Sequence, residues 1–369
     1  MTGCQTPPKP VAQVTPLMET QRLTLPPVEV PMTTPPVETT AVEPPSPPPR
    51  SVPAQTNLNR WIAWESWCQE IQIHAPQKAP SPAVHSFELH TAQGMVAITA
   101  GSRIAYWEGL ACWLGFAPKL VVRQLHIHAL DGEKSFLPLL VRPEFSCHTS
   151  RVVVIDPGHG GRDPGTQHIL NGRYEKEFTL DWAVRIQRLL STNGWKVYLT
   201  RTNDQEVALT NRVCFADQCQ ADLFISLHFN SGLPHNGNRA GIETFCLTPA
   251  GMPSSLTRGY DDNPQLCFPN NDFDQQNFYL ASRLHRALIK TTGSQDQGVQ
   301  RARFLGVLRG QKRPAVLIEG GFLSNHQEAR LIGTVAYREK LAGAVAKALA
   351  ELPMPSQAAT PRAFHPRGS

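Results

Sequence analysis

From residue 151 onward, short apolar runs alternate with longer segments that carry apolar residues at helical spacing. The run at 151–156 (RVVVID) is nearly all apolar, and residues 174–194 follow it with an apolar side chain every three or four positions. Strands that are apolar on both faces are typical of a sheet covered by helices on both sides. The sequence therefore predicts an α/β domain over residues 149–352, with a mostly parallel sheet flanked by helices.

The beginning of the chain has a different composition, because 15 of its 33 prolines fall within residues 1–53. Proline fixes φ and removes a backbone donor, and few large apolar side chains separate these prolines. We interpret residues 1–56 as a disordered, semi-rigid linker. The Pro- and Ser-containing residues 353–369 are predicted to form a mobile tail.

The first four residues, MTGC, resemble the end of a bacterial lipoprotein signal, in which small residues precede the cysteine that is lipidated. The charged and apolar regions that belong before such a cysteine do not precede it here. Our hypothesis is that the start codon is placed too late and that Cys4 anchors the protein to the outer membrane. The alternative is a cysteine without that role near a disordered terminus.

Residues 57–148 are interpreted as a small β-rich domain between the linker and the α/β domain. An amphipathic segment with Trp61, Trp64 and Ile71 opens it, and short strand-like runs follow, separated by Gly, Asp and Pro turns. The order of these runs resembles the copper amine oxidase N-terminal or stalk-type domains of envelope proteins. We assign no chemistry to this domain and expect it to contact an activator or another envelope partner.

Composition excludes several functional classes. The net charge is +5, and no Lys/Arg run is dense enough to indicate nucleic-acid binding. No apolar run reaches the 18 or more residues that would predict a membrane-spanning helix. The eight cysteines include no CxxC pair, which argues against a thiolate zinc site.

Four polar residues occupy positions that an α/β fold brings together. His159 follows the first strand, Glu175 begins the next helix, and His228 and Glu319 end two later apolar strands. Reactive groups in such folds gather beyond the carboxyl ends of the strands. Each residue also has a structural alternative: a surface histidine, a charge at a helix N-terminus, a core histidine or a turn cap.

Two imidazoles and one carboxylate form a ligand set that zinc favours in hydrolytic sites, with water in the fourth position. Zinc lowers the pKa of that water and polarises a carbonyl. A further carboxylate is then needed to take the water's proton and pass it to the leaving nitrogen. Glu319 suits that role, because it ends an apolar strand where burial raises the pKa of a carboxyl.

Five segments carry a family resemblance: VVVIDPGHGGRDPG, GRYEKEFTLDWA, VYLTR, ADLFISLHFN and PAVLIEGGFLSN. In this order, across residues 151–352, they resemble the type-3 zinc amidases of the bacterial cell wall, the N-acetylmuramoyl-L-alanine amidases. The resemblance implies one Zn²⁺ ion held by His159, Glu175 and His228, with Glu319 as the catalytic acid/base.

The same resemblance implies a substrate, a reaction and a location. The substrate is peptidoglycan, cut at the amide between the lactyl group of N-acetylmuramic acid and L-alanine of the stem peptide. We expect action on the periplasmic side of the cell envelope, in wall turnover or daughter-cell separation.

Further residues near these motifs are secondary candidates. Asp163 and Asn230 lie beside ligands and are expected to orient an imidazole. Arg303 and Arg309 are expected to contact carboxylates of the stem peptide, the alternative being solvated surface charges. Glu243 is a spare carboxylate that ranks below Glu319, because the resemblance places the catalytic glutamate in LIEGGFLSN.

The stretch 249–273 departs from the best-known family members, some of which carry a helical insertion there that blocks the zinc. Its Pro, Gly, Asn and Asp content favours a loop. We predict a substrate-facing loop that does not occlude the metal.

Other functions were weighed against the amidase. GHGGRDPG lacks the spacing and the lysine of a P-loop, and no Gly-x-Ser-x-Gly elbow indicates a serine hydrolase. A metal-free wall-binding scaffold and a zinc carboxypeptidase stay open as alternatives, separable by metal content and by the bond that is cut.

Overall fold

The computed structural model describes residues 60–73, 85–145, 151–232, 238–258 and 262–352, and the backbone of two short strands at 50–51 and 77–78. All of them belong to one compact unit, Pro44–Ser369. Cys4, most of the predicted linker and the predicted tail at 353–369 lie outside the described residues.

The described elements are numbered in chain order. The strands are β1 (Arg50–Ser51), β2 (Trp61–Ala63), β3 (Gln77–Lys78), β4 (Ser86–Thr91), β5 (Gly94–Thr99), β6 (Ile104–Trp107), β7 (Leu110–Trp113), β8 (Lys119–Val121), β9 (Gln124–His128), β10 (Val152–Pro157), β11 (Lys196–Leu199), β12 (Leu223–Asn230), β13 (Ile242–Leu247), β14 (Leu266–Cys267), β15 (Asp296–Ala302) and β16 (Ala315–Phe322). The helices are α1 (Trp64–Glu70), α2 (Ala129–Asp131), α3 (Leu137–Leu140), α4 (Glu175–Ser191), α5 (Leu209–Gln218), α6 (Asp274–Thr292), α7 (Gly306–Arg309), α8 (His326–Ile332) and α9 (Val335–Ala350). A π-helical turn, Gly132–Phe136, joins α2 to α3, and a 3₁₀ turn, Pro269–Phe273, precedes α6.

Six strands form the sheet of the α/β part, in the order β11-β10-β12-β16-β13-β15. Neighbouring strands are parallel except β13, which runs antiparallel to β16. Alternate side chains of β10 enter two separate apolar clusters, one through Val153 and Ile155 and the other through Val152 and Val154. The predicted mostly parallel α/β sheet, apolar on both faces, is confirmed for this part of the chain.

Helices cover both faces of this sheet. On the Val153 side, α4 packs against α9, and α9 packs against α6. The apolar stripe of α4, with Phe178, Trp182 and Ile186, is fully buried, and each such side chain contributes roughly 1.5–3 kcal/mol to folding. The opposite face is covered by α5 and α7, which places the sheet between two layers of helices.

The sheet continues into the β-rich segment that precedes the α/β part. Strand β7 lies beside β15, with Val299 opposite Cys112, and the order then runs β7-β6-β5-β4-β3 through antiparallel hairpins. The Ala111 amide donates to Asp296 Oδ2 at 2.8 Å, and one apolar cluster spans both segments. The two predicted domains, 57–148 and 149–352, thus share a sheet and a core.

Two elements differ from the sequence prediction. Strand β15 was not predicted, because its buried residues include the polar side chains Gln300 and Arg301. Within the predicted linker, Arg50–Ser51 pairs with Leu266–Cys267 as a short antiparallel strand. Among the helices that the structure describes, none combines the length and apolar character needed to cross a bilayer.

Candidate metal centre

His159 lies two residues beyond β10, in a backbone held by buried arginines. Its φ is +62°, a left-handed conformation that is uncommon outside glycine and is concentrated at functional sites. Arg201 Nη2 donates to the Gly158 carbonyl at 2.9 Å, and Arg212 Nη2 donates to the His159 carbonyl at 2.9 Å. These bonds fix the loop that presents the imidazole.

Asp156 anchors Arg212 beneath this loop. Its carboxylate is 1% exposed and accepts hydrogen bonds from Arg212 Nη1 at 2.6 Å and Ser226 Oγ at 2.7 Å. Burial raises the pKa of Asp156, but Arg212 and the hydroxyl donors outweigh that effect and hold the pKa below its ordinary value. The sequence analysis missed this ion pair, although Asp156 ends the predicted strand and Arg212 sits in a predicted helix.

Glu175 is the first residue of α4, and its side chain is buried. Oε2 accepts from the Thr166 amide at 2.9 Å, and Oε1 accepts from the Phe229 amide at 2.9 Å. Burial raises the pKa of this carboxyl, but hydrogen bonds from the two histidines bring it well below its ordinary range. A Cβ at Gly165 would lie 2.6 Å from Glu175 Oε2, so this close approach requires glycine.

His228, near the end of β12, completes a triangle of donor atoms. Its Nδ1 lies 3.1 Å from His159 Nε2 and 3.0 Å from Glu175 Oε1, and the last two atoms are 3.1 Å apart. A Cβ at Gly158 would lie 2.3 Å from the His228 ring, so glycine is needed here too. Three donors from β12, α4 and the β10 loop thus converge.

The triangle fits a single zinc ion. Ligand atoms about 2.0–2.1 Å from a tetrahedral Zn²⁺ stand about 3.3 Å apart, only a few tenths of an ångström more than the observed separations. Asp163 Oδ2 lies 2.8 Å from His159 Nδ1, which leaves the Nε2 lone pair facing the triangle. In the described ranges, no other trio of His, Cys, Asp or Glu donors converges this way.

Glu319 lies beside this triangle on β16. It stands opposite His228 of β12 and opposite Glu243 of β13 in the strand register. Its Oε2 is buried and has no hydrogen-bond partner within the described part of the chain. Such an atom lowers the stability of the fold, and a catalytic role is one reason for a protein to keep it. Burial, followed by the charges of Glu175 and Glu243, raises the pKa of Glu319 well above its ordinary value.

Known proteins with similar sequences support the same interpretation. The model of the N-acetylmuramoyl-L-alanine amidase family (Amidase_3) matches residues 153–351, more than half of the chain and all four residues of the centre. The chain belongs to this family. It is therefore a hydrolase with peptidoglycan amidase activity.

Individual relatives match over about half of this amidase. It is 31% identical to the amidase AmiA of Escherichia coli over 218 residues, 53% of this chain and 74% of AmiA. It is 34% identical to LytC of Bacillus subtilis over 193 residues, 52% of this chain and 34% of LytC. The solved catalytic domain of CwlV from Bacillus (Paenibacillus) polymyxa superposes with a TM-score of 0.45 at 29% identity, covering 55% of this chain and 97% of that domain.

Glu243 is a second buried carboxylate of the amidase, but it is fully paired. Arg239 Nη2 donates to Oε1 at 3.0 Å, Gln300 Nε2 donates to the same oxygen at 2.9 Å, and Asn230 Nδ2 donates to Oε2. Burial raises the pKa of Glu243, and Arg239 opposes this. The pairing distinguishes Glu243 from Glu319, whose Oε2 has no hydrogen-bond partner among the residues that the structure describes.

The secondary candidates from the sequence make different contacts in the structure. Asp163 bonds His159 directly, whereas Asn230 bonds Glu243 and lies outside the imidazole contacts. Arg303 is 4% exposed, pairs with Asp262 and donates to the Pro249 carbonyl at 2.8 Å. Arg309 is half-buried, and its Nε donates to the Arg303 carbonyl at 2.6 Å. Both arginines therefore hold the protein's own loops, because a buried guanidinium must pair its donors.

The stretch 249–273 is irregular over its described residues up to β14, as the loop prediction expected, and ends in the 3₁₀ turn. Ser254 is bound through its amide and hydroxyl to Asp262, and Arg103 Nη2 reaches the carbonyls of Pro253 and Ser254 at 3.2 and 3.1 Å. The loop is thus fastened to both the α/β part and the β-rich segment.

A cavity of about 270 Å³ opens beside the two histidines of the centre. The residues that line it include His159, Asp163, Glu206, Val207, Leu209 and Val307. The cavity is partly apolar and adjoins the donor triangle, as is typical of ligand-binding pockets.

Proposed function

We propose that the chain hydrolyses the amide between the lactyl group of N-acetylmuramic acid and L-alanine of the stem peptide, using one Zn²⁺ ion. His159 Nε2, Glu175 Oε1 and His228 Nδ1 hold the ion, and Glu319 is the acid/base. The observation that carries the proposal is a donor triangle with 3.0–3.1 Å sides beside a buried carboxyl oxygen that has no hydrogen-bond partner in the described part of the chain.

The ligand set leaves room for water and substrate. Three protein donors with an open fourth position are typical of catalytic zinc sites. A Zn²⁺ ion held there supplies a Lewis acid that polarises the scissile carbonyl and lowers the pKa of water towards neutrality. Asp163 keeps the His159 ring in the tautomer that this role requires.

Glu319 performs the proton transfers. Its carboxylate accepts the proton of the attacking water, and its carboxyl form then donates that proton to the amide nitrogen as the bond to L-alanine breaks. A pKa raised by burial brings the group closer to the operating pH, where one residue serves both steps. Its position in register with His228 supports this assignment.

The substrate places the enzyme in the bacterial cell envelope, on the periplasmic side. We propose a role in wall turnover or daughter-cell separation, with the β-rich segment contacting an activator or envelope partner. Anchoring through Cys4 remains our hypothesis, and it is tested by whether an in-frame apolar segment is encoded upstream.

The test is digestion of purified sacculi by the wild type and by Glu319→Gln, with soluble products identified by mass and zinc measured on the same samples. The wild type is expected to release stem peptides with free L-alanine amino termini and to leave intact glycan strands. Glu319→Gln is expected to keep near-stoichiometric zinc and to lose activity. Trimmed stem peptides with intact lactyl amides would instead indicate a carboxypeptidase.

A further inference from the structure

Arg258 is an exposed arginine in the irregular segment after β13, and it is the last residue of the described range 238–258. Its guanidinium stacks over the ring of Phe304, 4.7 Å from the centroid. No carboxylate among the described residues pairs with this guanidinium, whereas Arg239 pairs with Glu243 and Arg303 pairs with Asp262. Arg258 therefore presents a positive charge that the described fold does not neutralise.

A short series of contacts places the base of this loop next to the catalytic carboxylates. Ser255 Oγ bonds Gln300 Oε1 at 3.4 Å, and Gln300 Nε2 bonds Glu243 Oε1 at 2.9 Å. Glu243 in turn lies opposite Glu319. Arg258 follows Ser255 by three residues, and its charge lowers the pKa of both carboxyls against the effect of burial. Arg258 thus lies within electrostatic reach of the centre.

The loop that carries Arg258 is held in place. The Ser255 amide donates to the Arg301 carbonyl at 3.0 Å, and the Arg301 amide in turn donates to Ser255 Oγ at 2.8 Å. Arg303 adds its bond to the Pro249 carbonyl. Because the backbone is fixed on β15 and the guanidinium rests on Phe304, little ordering entropy is lost when an anion binds.

The geometry points to Arg258 as the residue that binds a stem-peptide carboxylate beside the scissile amide. This inference rests on the proposed function. A planar guanidinium offers two parallel donors to a carboxylate, and an exposed, unpaired arginine is available for this geometry. The free α-carboxylate of the glutamyl residue that follows L-alanine is the first such group along the stem.

The experiment compares two synthetic muramyl tripeptides that differ only at this group: one with the free glutamyl α-carboxylate and one with its amide. Each is hydrolysed by the zinc-loaded full chain as wild type, Arg258→Gln, Arg258→Lys and Arg123→Gln. Arg123 is exposed at the turn after β8 and serves as the matched control.

We expect Arg258→Gln to raise KM about tenfold for the acid substrate, with kcat within twofold, and to leave the amide substrate unchanged. Arg258→Lys should recover part of the loss, and Arg123→Gln should have no effect. Equal effects of Arg258→Gln on both substrates, or none, would overturn the inference. If the wild type cleaves neither tripeptide nor sacculi, the proposed function itself fails. Thermal melting of each variant identifies any loss through misfolding.

Discussion

Glu243 and Glu319 face each other across two antiparallel strands, and only one of them is satisfied. Glu243 accepts from Arg239, Gln300 and Asn230, whereas Glu319 Oε2 is buried without a partner among the described residues. The two carboxyls thus share an environment but differ in their hydrogen bonds. This difference supports the proton-transfer role that we propose for Glu319 and a supporting role for its neighbour.

The first prediction compares these two glutamates. Glu319→Gln should lower kcat by about 10²–10⁴-fold, because the general acid/base is lost. Glu243→Gln keeps an acceptor oxygen for Arg239 and Gln300, so kcat should stay within about tenfold of the wild type. Steady-state rates on a soluble muramyl peptide provide the measurement. A larger loss in Glu243→Gln than in Glu319→Gln would reverse the assignment.

The second prediction concerns the glycine that lies against the triangle. Gly165→Ala would place a methyl group 2.6 Å from Glu175 Oε2 and 2.7 Å from His159 Cδ2, at a φ of +66°. Zinc affinity should fall by at least about tenfold, because two ligands are displaced. Competition with a chromogenic chelator measures this.

A matched glycine in α9 is the control for that change. Gly343 has open space around its missing Cβ, so Gly343→Ala should leave zinc affinity unchanged. It should raise the free energy of unfolding by about 0.5–1 kcal/mol, because alanine is the better helix former. Unchanged zinc binding in Gly165→Ala would show that the triangle does not hold the metal.

The third prediction concerns the buried ion pair below His159. Asp156→Asn removes the charge that neutralises Arg212 and leaves that guanidinium buried without its counter-ion. The free energy of unfolding should fall by about 3–5 kcal/mol. Urea denaturation followed by circular dichroism measures the change. A loss below about 1 kcal/mol would mean that the pair contributes little to the frame of the loop.

The fourth prediction concerns pH and Asp274, which begins α6. Burial raises the pKa of Asp274 to about 6, against the opposing effect of Lys134 at 3.7 Å. In the folded state this carboxyl holds its proton to higher pH than in the unfolded chain, so its contribution to stability is full below about pH 4. That contribution is lost as the pH rises through about 6.

The measurement isolates this group by difference. The stability of the wild type relative to Asp274→Asn should fall by about 2 kcal/mol between pH 4 and pH 7. A control substitution, Asp272→Asn in the preceding 3₁₀ turn, removes a neighbouring exposed carboxyl and is measured over the same pH range. A pH-independent difference between wild type and Asp274→Asn would contradict the raised pKa.

The four residues of the centre could be predicted because each lies next to a recognisable strand or helix pattern in the sequence. Each lies in the second half of an apolar strand, in the loop after such a strand or at the start of an amphipathic helix, and the fold class brings such positions towards one edge of the sheet. Glu319 in particular follows an uninterrupted apolar run, PAVLI, which predicts a buried strand, but the prediction that the strand ends at Glu319 was wrong, because β16 continues to Phe322.

The supporting residues could not be predicted in the same way. Arg201 and Arg212 donate to backbone carbonyls, which every residue has, so the sequence does not indicate which carbonyl is bound. Strand β15 was missed because its buried Gln300 and Arg301 interrupt the apolar pattern, and their partners, Glu243 and Met252, are distant in sequence. Tertiary context decides such positions, and local pattern does not.

The pairing of β7 with β15 also has a mechanical consequence. Because the described hairpins and the hydrolytic edge belong to one continuous sheet and share an apolar core, moving one part relative to the other would have to break the β7–β15 pairing. A partner protein bound to the hairpins would therefore orient the catalytic edge directly. To change the position of that edge on the substrate, the partner would have to rotate both parts together.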